Sequence, residues 1–322
     1  MADSLLFLSK ADVDRAALPP GELIEVVERA FALRAKGRVL AKPKLGLYTE
    51  DGNFFFSLGA CAPDLGYAIT HASMGTPLDK ARPGASHIAS LEILIDARTA
   101  QPVAILDALW VATMIPAAVT AVVAKHMARK DAAVAGFIAC GAQARANLAT
   151  LRAVRPIRRV IAYNDRPEGA ESFAREVRAE GLEAVVADEP RRAVAGSDIV
   201  VTSVPSARSL VPFLDPAWLA PGSFASMVDL ARSWQPGLER LDRLVTDDRD
   251  QAASQANDGR LKLAGPYDTE IAELVSGTRP GRGSAGERIA FVHPGHAVGI
   301  LAIAARLYER AKALGLGMRL PG

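Results

Sequence analysis

The sequence predicts an α/β protein with a parallel sheet in its second half and an α+β unit before it. Three observations carry that expectation. From Val134 to Asp247, short apolar runs alternate with helix-length stretches, the rhythm of strand–helix–strand crossovers. Residues 1 to about 115 do not share that rhythm. One apolar run, Val134–Ile138, breaks into a turn of very small residues that opens a helix.

The first half contains one early helix and several strands. Pro20–Arg34 reads as a helix, with Leu23, Val27, Ala30 and Phe31 on one face and an acidic first turn. Strand-like pieces come next at Lys44–Tyr48, Asn53–Leu58, Tyr67–Ala72 and Ala89–Ile95. Asp51-Gly52 marks a hairpin between the first two. A long helix is expected from about Pro116 to Ala128, since proline suits a first helical turn.

The small-residue turn reads Ala139-Cys140-Gly141-Ala142, and its helix runs through Gln143 and Leu148. A strand, a tight turn and a helix N-terminus can hold a dinucleotide pyrophosphate, because first-turn N–H groups point at the anion. Gly141, Ala142 and Gln143 are the expected phosphate contacts. The fingerprint G-x-G-x-x-G/A appears as Ala139-x-Gly141-x-x-Ala144, and an ordinary strand-to-helix turn explains these six residues equally well. The residues after the turn shift the balance. A second strand, Arg158–Asn164, ends in Asn164-Asp165-Arg166, roughly twenty residues past the turn, where a Rossmann domain reads the adenosine ribose. Then come a helix (Gly169–Glu180), a strand (Glu183–Ala187), a helix near Arg191–Ala195 and a strand (Asp198–Ser203). Ser203, Val204 and Pro205 form the turn beyond this fourth strand, on the nicotinamide side. Phe224–Asp229 and Arg243–Asp247 read as further strands, and Gly299–Leu314 as an amphipathic helix returning to the first unit. The expected division is 1–116 with 299–322, and 117–298 as the NAD(P)-binding Rossmann domain.

Composition excludes several classes. The chain has 322 residues, half of them hydrophobic, enough for two domains with cores of their own. A net charge of +2 with mixed signs gives no nucleic-acid footprint. No apolar run reaches the length of a membrane span. Met1–Phe7 lacks a cationic region before its short apolar stretch, so no signal peptide is expected. Cys61 and Cys140 are read as free thiols in a reducing cytoplasm. Cys140 is read as a small residue that fits the turn. The five histidines form no recognisable metal site.

Several segments together resemble the ornithine cyclodeaminase/mu-crystallin family over nearly the whole chain. They are Leu94–Leu106, Ala117–Arg129, Cys140–Ala144, Ser197–Thr202, Leu219–Gly222, Phe291–Ala297 and Leu307–Ala311. The resemblance implies a homodimer paired through a substrate and dimerisation domain at 1–116, NAD(H) or NADP(H) as cofactor, and a small-molecule amino acid or imine as substrate. It also implies three basic residues for a substrate carboxylate. Lys44 keeps the first; Ala68 and Ile115 stand at the other two. A buried carboxylate without a cationic partner is strongly disfavoured.

Other residues are candidates for the site. Asp229, beside Val228 at a strand end, stands near the family's catalytic acid without aligning with it, and capping a turn explains it equally well. Lys44 is expected to face the substrate. His71 is a candidate proton donor, although a half-buried strand residue is the plainer explanation. Val228 and His296 are expected to line the cofactor, with helix capping as the alternative for His296. The resemblance gives Asn164 the deciding place for the ribose. An uncharged residue there, with Arg166 nearby, tilts the choice to NADP(H). These features predict an NAD(P)-dependent oxidoreductase acting on a C–N or C=N bond, an imine or ketimine reductase. The alternatives are a non-catalytic NAD(P)H-binding or regulatory protein, and an amino-acid cyclodeaminase.

Overall fold

The computed structural model describes residues 5–77, 80, 82, 86–207 and 210–321. Met1–Ser4, part of the segment read for a leader, lies outside them. The chain divides into two compact units, Met1–Ile115 with His296–Gly322, and Pro116–Gly295.

The first unit begins with β1 (Leu5–Leu8), α1 (Lys10–Ala16) and α2 (Pro20–Ala35). It continues through β2 (Leu40–Ala41), β3 (Leu45–Tyr48), β4 (Phe54–Ala62), β5 (Tyr67–Gly75), β6 (Ile88–Asp96) and β7 (Pro102–Asp107). Helix α3 (Leu109–Met127) crosses the division. The second unit carries β8 (Val134–Ile138), α4 (Ala142–Arg152), β9 (Arg159–Tyr163), α5 (Pro167–Ala179), β10 (Glu183–Val186), α6 (Pro190–Ala195) and β11 (Ile199–Thr202). It continues with β12 (Phe224–Met227), β13 (Arg243–Thr246), α7 (Arg249–Asn257), β14 (Thr269–Glu270), α8 (Ile271–Ser276) and β15 (Ile289–Val292). The chain then returns to the first unit as α9 (Ala297–Ala313) and β16 (Met318–Leu320).

In the first unit the strand order is β16-β1-β7-β6-β5-β4-β2, with β3 also on β4. The expected hairpin is present: β3 and β4 are antiparallel, and Gly52 turns between them at φ +86°. One sheet face is dry. Leu58, Ala60, Ala62, Ile69, Leu94, Ala104 and Leu106 are all buried, and α9 packs against β4, β5 and α2. Fully burying a leucine or phenylalanine contributes roughly 1.5–3 kcal/mol. The opposite face leaves Leu45, Leu47, Phe55, Leu91 and Ile93 exposed.

In the second unit every strand runs parallel, in the order β10-β9-β8-β11-β12-β15-β13-β14. This is a Rossmann-type sheet. Its strands are covered on both faces, so β11, β12 and β15 are buried at every position. Gly136 is required where α6 crosses β8, because a Cβ there would lie 2.2 Å from the Ala193 carbonyl oxygen. Strand order reverses between β8 and β11, the point at which ligands bind such sheets.

Helix α3 corrects two expectations. It starts at Leu109, whose N–H is capped by Asp107 Oδ1 at 3.1 Å. Pro116 therefore sits inside the helix, more than a turn from its start. The true start signal is Asp107, and packing of an apolar helix outweighs the bond that proline removes. The helix is also long and apolar enough to cross a membrane, contrary to the sequence reading. Its apolar residues go into the protein core: Ala117–Ala124 are buried almost without exposure. Two arginines close its C-terminal end. Arg155 Nη2 donates to the Ala124, Lys125 and Ala128 carbonyls, and Arg282 Nε donates to Met127 O at 2.7 Å.

Candidate functional site

The residues expected to hold a dinucleotide stand at the C-terminal ends of neighbouring parallel strands. Ala139 ends β8 with φ +70°, a conformation normally left to glycine. Its N–H donates to Tyr163 O, and its carbonyl accepts from Ser203 Oγ at 3.3 Å. The turn is thus tied to β9 on one side and β11 on the other. Gly141 is the N-cap of α4 and supplies no side-chain acceptor to the first turn of that helix. A Cβ on Gly141 would meet open space. Small residues, a helix N-terminus and room in front of it fit a phosphate. Cys140 is buried, and burial pushes its thiol up to about 12. That is the signature of a packed turn residue.

At the end of β9, Asn164 is turned inward. Its Oδ1 accepts the Cys140 N–H at 3.2 Å, and its Nδ2 donates to Asp165 Oδ1 and Arg166 O at 3.1 and 2.9 Å. Asp165 Oδ1 also accepts the Arg166 N–H at 2.9 Å. Both polar side chains brace the turn, while Arg166 is the exposed N-cap of α5.

Beyond β11 and β12 lies a denser network. Asp229 is 2% exposed. Its Oδ1 accepts from Thr202 Oγ1 at 2.9 Å and its Oδ2 from Ser233 Oγ at 2.6 Å. Trp234 Nε1 donates to the same threonine at 3.3 Å. Burial raises the Asp229 carboxyl above its usual range, against the pull of these donors and of the Val204 N–H. The next two residues, Leu230 and Ala231, both adopt φ near +60°. That is a strained pair for L side chains, held by the network around Asp229. Both oxygens of Asp229 are therefore engaged in shaping the loop that carries Ser203, Val204 and Pro205. Val228 follows β12 directly.

The remaining sequence candidates belong to the first unit. Lys44 Nζ lies over the Phe56 ring at 4.7 Å from its centroid, a cation–π contact. His71, expected to be half-buried, is 3% exposed on β5. Its Nδ1 lies 3.0 Å from Glu92 Oε1, directly across on β6. Glu92 is fully buried, its Oε2 has no partner, and burial raises its carboxyl. One register pair along on the same face, Ser90 Oγ donates to Ser73 Oγ at 2.9 Å. The sequence reading missed Glu92, although its signal was present: it shares the phase of Ser90 and Leu94 in a strand that alternates. Strand alternation puts Ala68 on the other face from His71. Ile115 is buried, and its Cδ1 lies only 2.5 Å from where a Cβ on Gly299 would stand. His296 caps α9, its Nδ1 accepting the Val298 N–H at 3.2 Å. Among the described residues, no three His, Cys, Asp or Glu side chains are grouped to hold a metal ion.

Known proteins share both this sequence pattern and this architecture. The sequence profile of the ornithine cyclodeaminase/mu-crystallin family matches residues 4–315. Alanine dehydrogenase of Archaeoglobus fulgidus is 29% identical over 330 residues, covering 98% of each chain. Among solved structures, an archaeal alanine dehydrogenase dimer with bound NAD superposes with a TM-score of 0.88 at 27% identity over 99% of each chain. Thermococcus litoralis Delta(1)-pyrroline-2-carboxylate reductase, in complex with NADH and L-proline, gives 0.89 at 26% identity over 98% of this chain and 100% of that one.

Proposed function

The chain belongs to the ornithine cyclodeaminase/mu-crystallin family, and from that premise we propose that it is an NAD(P)H-dependent oxidoreductase reducing a C=N bond, an imine or ketimine reductase. The observation that carries the cofactor half is the helix α4 N-terminus, which opens beside Gly141 without a side-chain cap. Gly141, Ala142 and Gln143 hold the pyrophosphate through backbone N–H groups. The turn of Asn164, Asp165 and Arg166 meets the ribose, and Arg166 favours NADP(H). Ser203, Val204, Pro205 and Val228 line the nicotinamide half, while His296 caps α9. The bound nicotinamide supplies a hydride to the substrate carbon. Lys44 carries the substrate's polar end, water supplies the proton to nitrogen, and His71, paired with Glu92 on the face of β5 opposite Ala68, braces that strand instead of donating the proton. Asp229 acts by fixing the loop beyond β11.

The substrate half rests on Ala68 and Ile115, neutral where family resemblance calls for cations. Losing a charge-assisted hydrogen bond removes about 1.5–3 kcal/mol of binding. The preferred imine therefore lacks a free α-carboxylate, or depends on Lys44 to hold it. One observation favours the second reading, a cofactor-binding protein without turnover: both Asp229 oxygens are engaged by hydroxyl groups. The missing anchors argue against a cyclodeaminase. Two free cysteines suit a reducing compartment such as the cytoplasm.

The test is a cofactor-oxidation screen with cyclic imines, imines of keto acids and plain ketones, together with titration of both nicotinamides. A carboxylate-free imine should be reduced, and ornithine should give no proline. Robust NAD-stimulated proline formation would sink the substrate reading, and tight cofactor binding without turnover of any imine would favour the binding protein. Gly141→Val should abolish cofactor binding with an unchanged melting temperature, since its side chain enters open space.

A further inference from the structure

The ends of β13 and β15 hold buried polar atoms that the proposed chemistry does not use. Asp247 follows β13 at 2% exposure, and His293 follows β15 at 7%. His293 Nδ1 lies 3.1 Å from Asp247 Oδ2, off the axis of a hydrogen bond. That carboxylate oxygen instead accepts the Gly295 N–H at 2.8 Å. The other oxygen, Oδ1, is enclosed without a partner, as is Thr246 Oγ1 one residue earlier. Thr246 pairs with Val292, so these atoms cluster on two adjoining strand ends. Buried polar atoms are nearly always satisfied, and an exception calls for a reason. Here the set offers a free carboxylate oxygen beside a planar ring, which is tilted 50° against Phe291 at 5.9 Å. A planar group carrying an N–H donor complements it.

The location narrows the choice. This cluster stands at the carboxyl edge of the parallel sheet, on the far side of β11 from Asn164. A dinucleotide laid across the β8/β11 reversal sends its adenosine toward β9 and its nicotinamide toward β12 and β15. The planar N–H donor that such a ligand brings to this side is the nicotinamide carboxamide. We propose that Asp247 and His293 form the seat of that carboxamide. Asp247 Oδ1 accepts one amide N–H, the Gly295 N–H holds the other carboxylate oxygen, and the His293 ring flanks the pair. The seat rests on the proposed cofactor site and adds to it the group that selects the amide.

The test uses three probes against the intact protein, each with and without a 2′-phosphate: NAD, its 3-acetylpyridine analogue and ADP-ribose. The analogue keeps the carbonyl but has a methyl in place of the amide nitrogen. Wild-type protein should bind NAD about tenfold or more tighter than the analogue, the loss expected for one hydrogen bond to a charged group. In Asp247→Asn the side-chain oxygen stays with the Gly295 N–H, so an NH2 faces the carboxamide. NAD binding should then fall by about tenfold or more while the analogue and ADP-ribose hold their affinities. Equal affinity of wild-type protein for NAD and the analogue overturns the seat whether or not the variant folds. So does equal weakening of all three probes in the variant, the result expected if the cluster holds a buried water only. Failure to bind any probe, ADP-ribose included, overturns the cofactor site and the seat with it. ADP-ribose binding without discrimination overturns the seat alone.

Discussion

Ala139 holds a glycine's conformation, φ +70°, in the middle of the cofactor turn. The left-handed region costs an L side chain roughly 1–2 kcal/mol. Glycine would relieve that cost but bring about 0.5–1 kcal/mol of extra unfolded-state entropy. Ala139→Gly should therefore raise stability by about 0.5–1 kcal/mol, seen as a higher urea midpoint at constant slope; a lower midpoint would show that the turn carries no strain. Glu92 gives a second measurable consequence. Burial raises its folded carboxyl above its ordinary range, while the unfolded chain titrates near 4.3. Between those values the folded form keeps a proton that the unfolded form has lost, so stability falls as pH rises through that window. Glu92→Gln cannot ionise, and its melting temperature should decline less than that of the wild type from about pH 4 to about pH 8. Parallel curves for the two proteins would mean that Glu92 stays charged beside His71. This pair escaped the sequence reading because it joins two strands whose register no local pattern states.

At the scale of elements, the turn from β9 into α5 decides which nicotinamide is held. Asn164 and Asp165 direct their side chains into the turn, which leaves Arg166 as the exposed cation there. Arg166→Ala should weaken NADPH by about tenfold or more and NADH little, since a guanidinium–phosphate pair is a strong charge-assisted contact. Equal loss for both, or tight NADH with negligible NADPH binding in the wild type, would reverse the preference. The strands of this sheet were legible because burial on both faces leaves continuous apolar runs such as Ile199–Thr202. The first unit was less so. β1 takes its place beside Ala104 and Arg319, partners that sequence spacing cannot reveal. β7 escaped because Pro102 opens it and proline argues against a strand interior. Pro116 misled in the other direction, since only tertiary packing explains a proline within α3.

For the whole molecule, the outer face of the first sheet is the feature that calls for a partner. Leu45, Leu47 and Phe55 are 61%, 58% and 48% exposed on neighbouring strands. Patches of this kind are typical of interfaces, and a second copy of the chain is the expected occupant. Leu47→Glu with Phe55→Glu should convert a dimer to a folded monomer in sedimentation, with the circular dichroism of the wild type; a wild-type monomer at micromolar concentration would refute the pairing. The arginine clamp on α3 bears on how the chain is made. The Met127 carbonyl waits for Arg282, 155 residues later. At about 5–20 residues per second, a ribosome needs roughly 8–30 s to supply it. During that interval the most apolar helix of the protein has left the exit tunnel with its last turn unfinished, so a nascent chain halted before Arg282 is the form most in need of a chaperone.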